Sequence, residues 1–374
     1  MLRVTLDATP LLGARTGVGQ FTTEALAALA RRDDLDLSAF ALTWEGRGDV
    51  ARMLPPGVRG LRRPMAARPL RQCWKRSSWP PVEWWSGPVD VVHGTNFVVP
   101  PARRAAEVVT VHDLTPVRLP ELCTPDTLEL PGLLRRALAR GAFVHTPSAF
   151  VAAEVVEHLG APPERVQAVP HGVPGLAHLA AADPAAGRRL AGAERYVLAL
   201  GTVEPRKDLP TLVRAFDVVA GSDPDVALVV AGPDGWGVGA FAAAVAELRH
   251  GARLRRLGYV DGADKAALVA GAAVFAYPSL NEGFGLPPLE AMAAGVPVVA
   301  TAAGALPEVL GDAARLVPPG DVTALAAALA EVAADEGERA RLVARGRRRV
   351  AALSWERCAA GLAELYRRAA GARR

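Results

Sequence analysis

Two glutamates in a glycine-containing segment are well suited to bind a ligand rich in hydroxyl groups. Glu282 and Glu290 are separated by seven residues in YPSLNEGFGLPPLEAMAAG. Gly283 and Gly285 predict a turn with exposed backbone N–H groups, and the residues from Leu286 onward predict a helix. A glutamate near a helix start can accept hydrogen bonds from a ribose while the helix N-terminus faces a phosphate. We therefore expect Glu290 to bind a ribose and Glu282 to bind sugar hydroxyls. The alternative, in which one glutamate caps the helix and the other is solvated, explains neither the two glycines nor Phe284.

A pair of adjacent cations follows a predicted strand. Arg206 and Lys207 lie in GTVEPRKDLPTLVRAF, directly after the apolar run YVLAL. Arginine offers a planar fork for phosphate oxygens, and lysine adds a compact charge. Two fixed cations would stabilise the charge that develops on a departing diphosphate without a metal. Pro205 fixes the turn, and Asp208 is placed to cap the next helix. The alternative is that Arg206 and Lys207 are solvated in a surface loop. The segment with Glu282 and Glu290 makes this alternative less favourable.

Further candidates lie in the N-terminal half. Gly13, Gly17 and Gly19 follow the first predicted strand in LLGARTGVGQF and would let the backbone approach a phosphate or sugar. Their spacing matches neither a Walker A loop nor GxGxxG, and a plain tight turn explains them equally well. His112, in VTVHDL, either faces a ligand or is a structural histidine bonded to a carbonyl, and Asp113 would orient it or cap a turn. Three other histidines that follow strands are expected to be structural: His93, His145 and His171.

The elements that position these residues alternate between short apolar runs and stretches of helical period. This alternation predicts parallel sheets with crossover helices, and the number of strands favours two sheets over one. The strands predicted in the first half are Leu2–Leu6, Leu35–Leu42, Val89–His93, Glu107–Val111, Phe143–Thr146 and Val166–Val169. Those predicted in the second half are Tyr196–Leu200, Val226–Ala231, Leu254–Tyr259, Ala273–Tyr277, Pro297–Ala300 and Arg315–Val317.

The length of 374 residues predicts two domains. We expect an α/β domain at 1–172, a linker at 173–195, a second α/β domain at 196–353 and a C-terminal helix at 354–374. The linker is placed where prolines and glycines interrupt helix and strand periodicity. We expect the last helix to pack on one of the two domains. It can return to the N-terminal domain. Its predicted apolar face consists of Trp355, Cys358, Leu362, Leu365 and Tyr366.

Charge, cysteine content and the lengths of apolar runs exclude several classes of function. The chain has 43 Lys+Arg and 39 Asp+Glu, so its formal charge of +4 demands no polyanionic partner, and we expect no nucleic-acid binding. Three distant cysteines predict neither a disulfide framework nor a zinc site. The N-terminus predicts a strand and not a signal peptide, and no apolar run is long enough to span a membrane, so we expect a cytoplasmic protein. Lysine occurs only at Lys75, Lys207 and Lys265.

The whole chain resembles the retaining glycosyltransferases of GT-B architecture, glycosyltransferase family 4, also called glycosyl transferases group 1. The most specific matches are Gly-x-x-x-x-Arg-Lys at Gly201, Arg206 and Lys207, and E-x7-E at Glu282 and Glu290 with its internal GFGLP. The resemblance implies an α/β GT-B fold, in which two Rossmann-like domains with parallel sheets face each other across a cleft. On this resemblance, residues 1–172 form the acceptor-side domain and residues 196–353 the nucleotide-sugar donor domain.

The resemblance also implies roles for single residues. Arg206 and Lys207 would bind the donor diphosphate, Glu290 the ribose and Glu282 the transferred sugar. The other positions carried over from the family for the C-terminal half are Gly201, Val260 at the nucleobase, Gly283, Phe284 and Gly285 at the sugar and phosphates, and Leu286 near the ribose.

In the N-terminal half, Gly17 and Gly19 match the family's glycine loop, and His112 matches a histidine that faces the donor sugar. Two departures from the family pattern bear on subfamily and not on reaction. Asp208 stands in place of asparagine, and His171 and Pro174 stand in place of the asparagine and aspartate of Asn-Gly-Val-Asp. No Asp-x-Asp motif is present, so we expect no metal and no cofactor besides the nucleotide-diphosphate sugar as co-substrate.

We therefore expect a metal-independent retaining hexosyltransferase, with mannose from GDP-mannose as the first candidate donor. The acceptor would be a hydroxyl of a glycan, a lipid-linked glycan or a small molecule, as in polysaccharide biosynthesis. Two alternatives are a nucleotide-sugar epimerase of the same fold and a non-catalytic nucleotide-sugar-binding protein. The paired Arg-Lys and E-x7-E elements favour transfer over both.

The stretch from Arg59 to Arg76 contains seven basic residues. It holds no acidic residue, and its basic residues are interleaved with Leu61, Met65, Leu70 and Trp74. This pattern suits a segment that contacts an anionic membrane at its inner face and hence a lipid-linked acceptor. A solvated arginine-rich loop is an equally good interpretation.

Overall fold

The computed structural model describes residues 1–12, 17–61 and 63–373. The chain forms two compact units, Met1–Gly172 with Leu353–Arg374, and Val173–Ala352. The C-terminal residues therefore belong to the first unit.

The first unit contains a seven-stranded sheet in which every described pair of neighbours is parallel. The strand order is β3-β2-β1-β4-β5-β6-β7. Each strand predicted from the first half is present, and the additional strand β3 is only two residues long. The strands are β1 Leu2–Asp7, β2 Leu35–Phe40, β3 Arg59–Gly60, β4 Val91–Gly94, β5 Ala106–Thr110, β6 Phe143–Thr146 and β7 Val166–Ala168.

Helices cover the sheet of the first unit and bury its apolar residues. Helix α7 shows the local signals clearly, since Ser148 accepts a hydrogen bond from the Val151 N–H and Gly160 ends the helix in the left-handed conformation. The helices are α1 Gly17–Ala30, α2 Arg47–Met53, α3 Ala67–Trp74, α4 Glu83–Ser86, α5 Thr115–Arg118, α6 Leu130–Ala139 and α7 Ala149–Leu159.

Most apolar side chains of the basic segment Arg59 to Arg76 are buried. Met65, Leu70 and Trp74 are buried in the core of the first unit, and the Trp74 indole N–H donates to the Pro80 carbonyl at 3.1 Å. These apolar side chains are thus core residues. They are not available to insert into a bilayer.

The second unit contains a six-stranded parallel sheet of order β10-β9-β8-β11-β12-β13. All strands predicted for this half are present. They are β8 Tyr196–Leu200, β9 Ala227–Ala231, β10 Leu254–Gly258, β11 Val274–Tyr277, β12 Val298–Thr301 and β13 Ala314–Val317. Its helices are α8 Leu176–Ala180, α9 Pro184–Ala191, α10 Leu209–Ser222, α11 Val238–Ala246, α12 Gly262–Gly271, α13 Leu286–Ala293, α14 Leu306–Leu310, α15 Val322–Ala334 and α16 Glu336–Ala351. The expected two-sheet α/β architecture is confirmed.

The segment 173–195 is not the irregular linker that its prolines and glycines suggest. It contains α8 and α9, and α9 packs closely on α12. Pro184 begins α9, where its missing N–H costs nothing, and Gly192 ends it in the left-handed conformation. A Cβ at Gly187 would lie 1.9 Å from the Ala267 carbonyl oxygen, so this glycine permits the close helix contact. The prolines and glycines that interrupt the sequence pattern here therefore begin a helix, end a helix or allow two helices to pack closely.

The C-terminal helix α17, Trp355–Arg373, completes the first unit and packs against α1 and β5. The apolar face predicted from the sequence is the buried one, with Cys358, Leu362 and Tyr366 fully enclosed. Neither this helix nor another in residues 1–12, 17–61 and 63–373 is long and apolar enough to cross a membrane.

Candidate functional site

The strand order of the second sheet reverses between β8 and β11. In open α/β sheets, ligands bind outside the carboxyl ends of the strands at such a reversal. The segments that follow these two strands are those that carry the predicted cations and glutamates. They are joined directly, because the Leu280 N–H donates to the Arg206 carbonyl at 2.8 Å.

The loop after β8 has a strained and specific backbone. Gly201 has φ +148°, and a Cβ at Gly232 would lie 2.1 Å from the Gly201 carbonyl oxygen. Pro205–Lys207 forms one 3-10 turn, and Asp208 occupies the N-cap position of α10 with φ 45°. These constraints place Arg206 and Lys207 in one short turn beside the end of β11.

Arg206, Lys207 and Glu282 form one charged cluster. Glu282 Oε1 lies 2.7 Å from Arg206 Nη1 and 2.6 Å from Lys207 Nζ. The Tyr277 hydroxyl donates to the same oxygen at 2.9 Å and accepts from Lys207 Nζ at 2.7 Å. Glu204 binds the other end of the guanidinium at 2.7 Å. The structure therefore brings three of the predicted site residues into direct contact.

The cluster keeps its charges although it is largely buried. Burial by itself would raise the pKa of Glu282, but the charges of Arg206 and Lys207 and the hydrogen bonds from Lys207 and Tyr277 outweigh it, and the pKa falls to about 2. Burial lowers the pKa of Lys207, and Glu282 opposes that shift. Glu282 thus stays ionised because two cations face it.

Glu290 lies on α13 and has a different partner. It is 4% exposed, and Lys265 Nζ lies 2.7 Å from Oε1 and 2.6 Å from Oε2. Burial raises the pKa of Glu290, and the Lys265 charge and hydrogen bond oppose this shift. Each glutamate of the E-x7-E element is therefore held by its own lysine.

The turn between the two glutamates and the helix start at Leu286 are as predicted, but the residues of the turn are buried rather than exposed. Gly285 has φ +89° and occupies the N-cap position of α13, and Leu286 is the first helical residue. Gly283 and Phe284 are buried. Another glycine, Gly304, lies against the turn, since a Cβ there would be 2.3 Å from the Glu282 carbonyl oxygen.

Val260, the position expected at the nucleobase, follows β10 and is partly exposed. It lines a surface pocket of the second unit together with Leu257, Tyr259, Asp261 and Leu190. Leu190 lies on α9, so the segment expected to be a linker contributes to this pocket.

The remaining predicted residues belong to the first unit. Gly17 and Gly19 lie in the first turn of α1, and a Cβ added at Gly17 would have no neighbour within 4 Å among the described atoms. Gly13 lies outside the described residues. The His112 Nε2–H donates to the Thr95 carbonyl at 2.9 Å, the bond that a structural histidine would make.

His112 nevertheless keeps one nitrogen as an acceptor. Burial lowers the pKa of its ring, so the ring is neutral, and Nε2 carries the hydrogen. Nδ1 then has a lone pair. Asp113 accepts a hydrogen bond from the Thr115 N–H at 2.8 Å and so caps α5.

Two of the other histidines, His93 and His145, belong to a buried hydrogen-bonded chain. His145 Nε2 donates to the Val169 carbonyl at 3.0 Å, so its Nδ1 accepts from Thr110 Oγ at 2.9 Å. Thr110 Oγ then accepts from His93 Nε2, and His93 Nδ1 accepts from the Tyr366 hydroxyl, both at 2.7 Å. This order uses each neutral ring once as donor and once as acceptor. His93 and His145 are structural, as expected.

Sequence reasoning missed three residues of the site. Glu204 and Tyr277 flank the cation cluster, and Lys265 holds Glu290. Of these residues, only Lys265 could have been singled out from the sequence, because it is one of three lysines in a chain whose other basic residues are arginines. No group of three or more possible metal ligands occurs within the part of the chain that the structure describes.

Solved structures with the same architecture place the chain in a fold class. Sucrose-phosphate synthase from Thermosynechococcus elongatus matches over 100% of both chains with a TM-score of 0.77 and 22% identity. WaaG, a glycosyltransferase involved in lipopolysaccharide biosynthesis, matches over 99% of both chains with a TM-score of 0.72 and 18% identity. The two-sheet fold is the GT-B fold of glycosyltransferases.

Sequence comparisons identify the family. The family description "Glycosyltransferase Family 4" matches residues 15–174, and "Glycosyl transferases group 1" matches residues 186–349. O-antigen chain mannosyltransferase B of Escherichia coli is 31% identical over 288 residues, which cover 74% of each chain. D-inositol 3-phosphate glycosyltransferase of Salinispora arenicola is 33% identical over 314 residues, 77% of this chain and 68% of that one. The chain belongs to glycosyltransferase family 4 and is a glycosyltransferase.

Proposed function

We propose that this chain transfers a hexose, with mannose from GDP-mannose as the first candidate, to a hydroxyl group of a glycan, a lipid-linked glycan or a small molecule. The observation that carries the proposal is the cluster of Arg206, Lys207 and Glu282 at the carboxyl ends of β8 and β11. The mannosyltransferase from Escherichia coli among its relatives favours mannose.

Arg206 and Lys207 bind the donor diphosphate and neutralise it as the bond to the sugar breaks. Glu282, Glu204 and Tyr277 hold both cations in place before the reaction, so little reorganisation is needed when charge develops. Such preorganised charges in a site with little water are a large source of transition-state stabilisation. This arrangement favours a reaction that needs no divalent metal.

The nucleoside and the sugar would be bound by residues around this cluster. Glu290, held by Lys265, accepts the ribose hydroxyls, and Leu286 packs near the ribose. Val260 contacts the nucleobase from its surface pocket. Gly201 and the backbone N–H groups of Gly283, Phe284 and Gly285 contact the donor phosphates. The same three N–H groups and Glu282 also contact the sugar.

On the first unit, His112 Nδ1 accepts a hydrogen bond from a hydroxyl of the donor sugar. Gly17 and Gly19, at the start of α1, let the backbone approach the sugar or phosphate without a side chain between them. The N-terminus of α1, a 14-residue helix, favours the negative charge of that group.

The reaction retains the anomeric configuration. The bond from the anomeric carbon to the phosphate oxygen breaks, the acceptor oxygen forms a bond on the same face, and the departing phosphate oxygen takes the acceptor proton. This route needs no separate general base. We therefore assign Arg206, Lys207, Glu282 and His112 to binding and electrostatic stabilisation at the reacting centre.

Release of nucleotide diphosphate from a panel of nucleotide sugars tests the proposal. We expect release with GDP-mannose that depends on acceptor and persists in excess chelator, and an α-configured product by NMR of its anomeric proton. Epimerisation of the donor without transfer would identify an epimerase instead. Absence of release with every donor, with and without acceptor extracts, would leave a nucleotide-sugar-binding protein and overturn the proposal.

A further inference from the structure

Two neighbouring tryptophans lie on the surface of the first unit. Trp79 is 57% exposed and Trp84 is 50% exposed. Their ring centroids are 4.9 Å apart in an edge-to-face arrangement. Tryptophan is among the costliest side chains to leave in water, so a pair of them in contact at the surface indicates a partner that covers them.

Hydrogen bonds tie this pair to three arginines from other segments. The Trp84 carbonyl accepts from Arg63 Nη1 at 2.5 Å. Glu83, the residue before Trp84, accepts backbone N–H bonds from Arg103 and Arg104, both at 2.9 Å. Three separate parts of the chain therefore meet at one surface, which we call the Trp–Arg patch: Trp79, Trp84, Arg63, Arg103 and Arg104.

The charge of the Trp–Arg patch is positive and uncompensated. Arg63, Arg103 and Arg104 are exposed. Among the described residues, no carboxylate lies within ion-pair distance of the Arg103 or Arg104 guanidinium groups. Glu83 does not neutralise them at the surface, since its carboxylate accepts the backbone N–H groups of residues 103–105.

The Trp–Arg patch is separate from the ligand-binding edge of the first sheet. Arg103 and Arg104 directly precede β5, whereas His112 follows it. A five-residue strand is about 17 Å long, so the patch and His112 lie at opposite ends of β5. The patch is therefore not part of the donor site.

We propose that the Trp–Arg patch docks this protein on the surface of an anionic phospholipid bilayer. Tryptophan rings favour the boundary between headgroups and acyl chains, and arginines bind the phosphates of the headgroups. The pattern fits a charged plane better than a protein or glycan surface, because it combines two exposed tryptophans with exposed arginines, and no described carboxylate pairs with the Arg103 or Arg104 guanidinium group. The inference does not depend on the proposed transferase reaction.

Vesicle flotation of the full chain tests this inference. We expect the protein to float with phosphatidylcholine vesicles that contain roughly a third phosphatidylglycerol and to remain unbound with phosphatidylcholine alone at moderate salt. The double variant Arg103→Gln/Arg104→Gln should lower the partition coefficient about thirtyfold, since each basic residue at such a surface contributes about 1 kcal/mol. Trp79→Ser/Trp84→Ser should also reduce binding at least tenfold.

Matched variants in the second unit separate a specific patch from general charge. Trp236 is 52% exposed, and Arg347 and Arg348 are an adjacent exposed pair. Trp236→Ser and Arg347→Gln/Arg348→Gln should float like the unchanged protein, and circular dichroism should show that every variant is folded. Equal binding to neutral vesicles, no binding to either kind, or full binding by the Trp79 and Trp84 variant would overturn the inference. Retention on a polysaccharide column that requires these tryptophans, without flotation, would assign the patch to a glycan instead.

Discussion

Two polar clusters, one in each unit, show two ways of burying polar side chains at a parallel sheet. In the first unit, His93, Thr110 and His145 form a neutral chain in which each group donates to the next. In the second unit, Arg206, Lys207 and Glu282 remain charged because opposite charges meet within 2.7 Å.

This difference has a physical reason. A neutral chain of hydrogen bonds satisfies buried atoms at little electrostatic cost and fixes the backbone around it. A charged cluster is expensive to bury and is retained where charge is used. The comparison teaches that the charged residues of the proposed donor site lie in the second unit, whereas the histidine chain of the first unit is neutral.

The largest expected effect is on turnover in the charged cluster. Lys207→Ala should lower kcat about a hundredfold to a thousandfold, because it removes one fixed charge from the departing diphosphate. Steady-state kinetics with saturating donor would measure it. Lys75→Ala, which removes a lysine from the more exposed pair with Glu129, is the control and should leave kcat unchanged. A near-normal rate in Lys207→Ala would remove this lysine from the mechanism.

Acidification should unfold the two units in a defined order. Burial lowers the pKa of His145 to about 3 and that of His93 well below its usual value, so the unfolded chain takes up these protons first. The contribution of these histidines to the stability of the first unit should fall as the pH drops from about 6.5 towards 3, and protonation of buried Asp7, whose pKa is raised to about 6, offsets part of this loss. The Glu282 contribution, with a pKa of about 2 against 4.5, should be lost only between about 4.5 and 2.

Hydrogen exchange followed by mass spectrometry at stepped pH would measure this order. Peptides from β4 to β6 should lose protection at a higher pH than peptides from β8 and β11. Loss of protection in the second unit first would show that the neutral chain is not the acid-sensitive element.

A tenfold effect is expected at Lys265. Lys265→Met should raise KM for the donor about tenfold, since Glu290 loses its charge partner and takes up a proton more readily. The increase should be larger at pH 6 than at pH 8, and Lys265→Arg should restore most of the affinity. A pH-independent increase in KM would limit Lys265 to a packing role.

The smallest effect is expected at His112. His112→Ala should reduce kcat/KM by roughly tenfold or less, because one neutral hydrogen bond to a sugar hydroxyl contributes about 1 kcal/mol. His178→Ala, at an exposed histidine of the second unit, provides the comparison. If kcat/KM is unchanged while thermal stability falls, the Thr95 bond is the whole role of His112.

Much of the fold was predictable because strands and helices follow local patterns of apolar residues. The strands of both sheets and the buried face of α17 were predicted from these patterns. The helices in 173–195 were not, because their prolines and glycines are start, stop and contact positions that look like breaks in the sequence.

The candidate site also contains residues that could be predicted from the sequence and residues that could not. The types and spacing of Arg206, Lys207, Glu282 and Glu290 are sufficient to indicate binding of a diphosphate and a sugar, since they lie in continuous motifs directly after predicted strands. Their partners, Tyr277 and Lys265, come from other elements. Distant partners of this kind leave no local pattern.

The sequence by itself determined the alternation of strands and helices, the glycosyltransferase family and the motifs proposed to bind the donor, because each depends on neighbouring residues along the chain. Only the tertiary structure decided that β8 and β11 are adjacent, that one carboxylate holds both cations, and that Lys265 meets Glu290. It also decided that the apolar residues of the basic segment are core residues while Trp79 and Trp84 are exposed. Burial and pairing between distant segments depend on how the sheets order their strands, which no local pattern specifies.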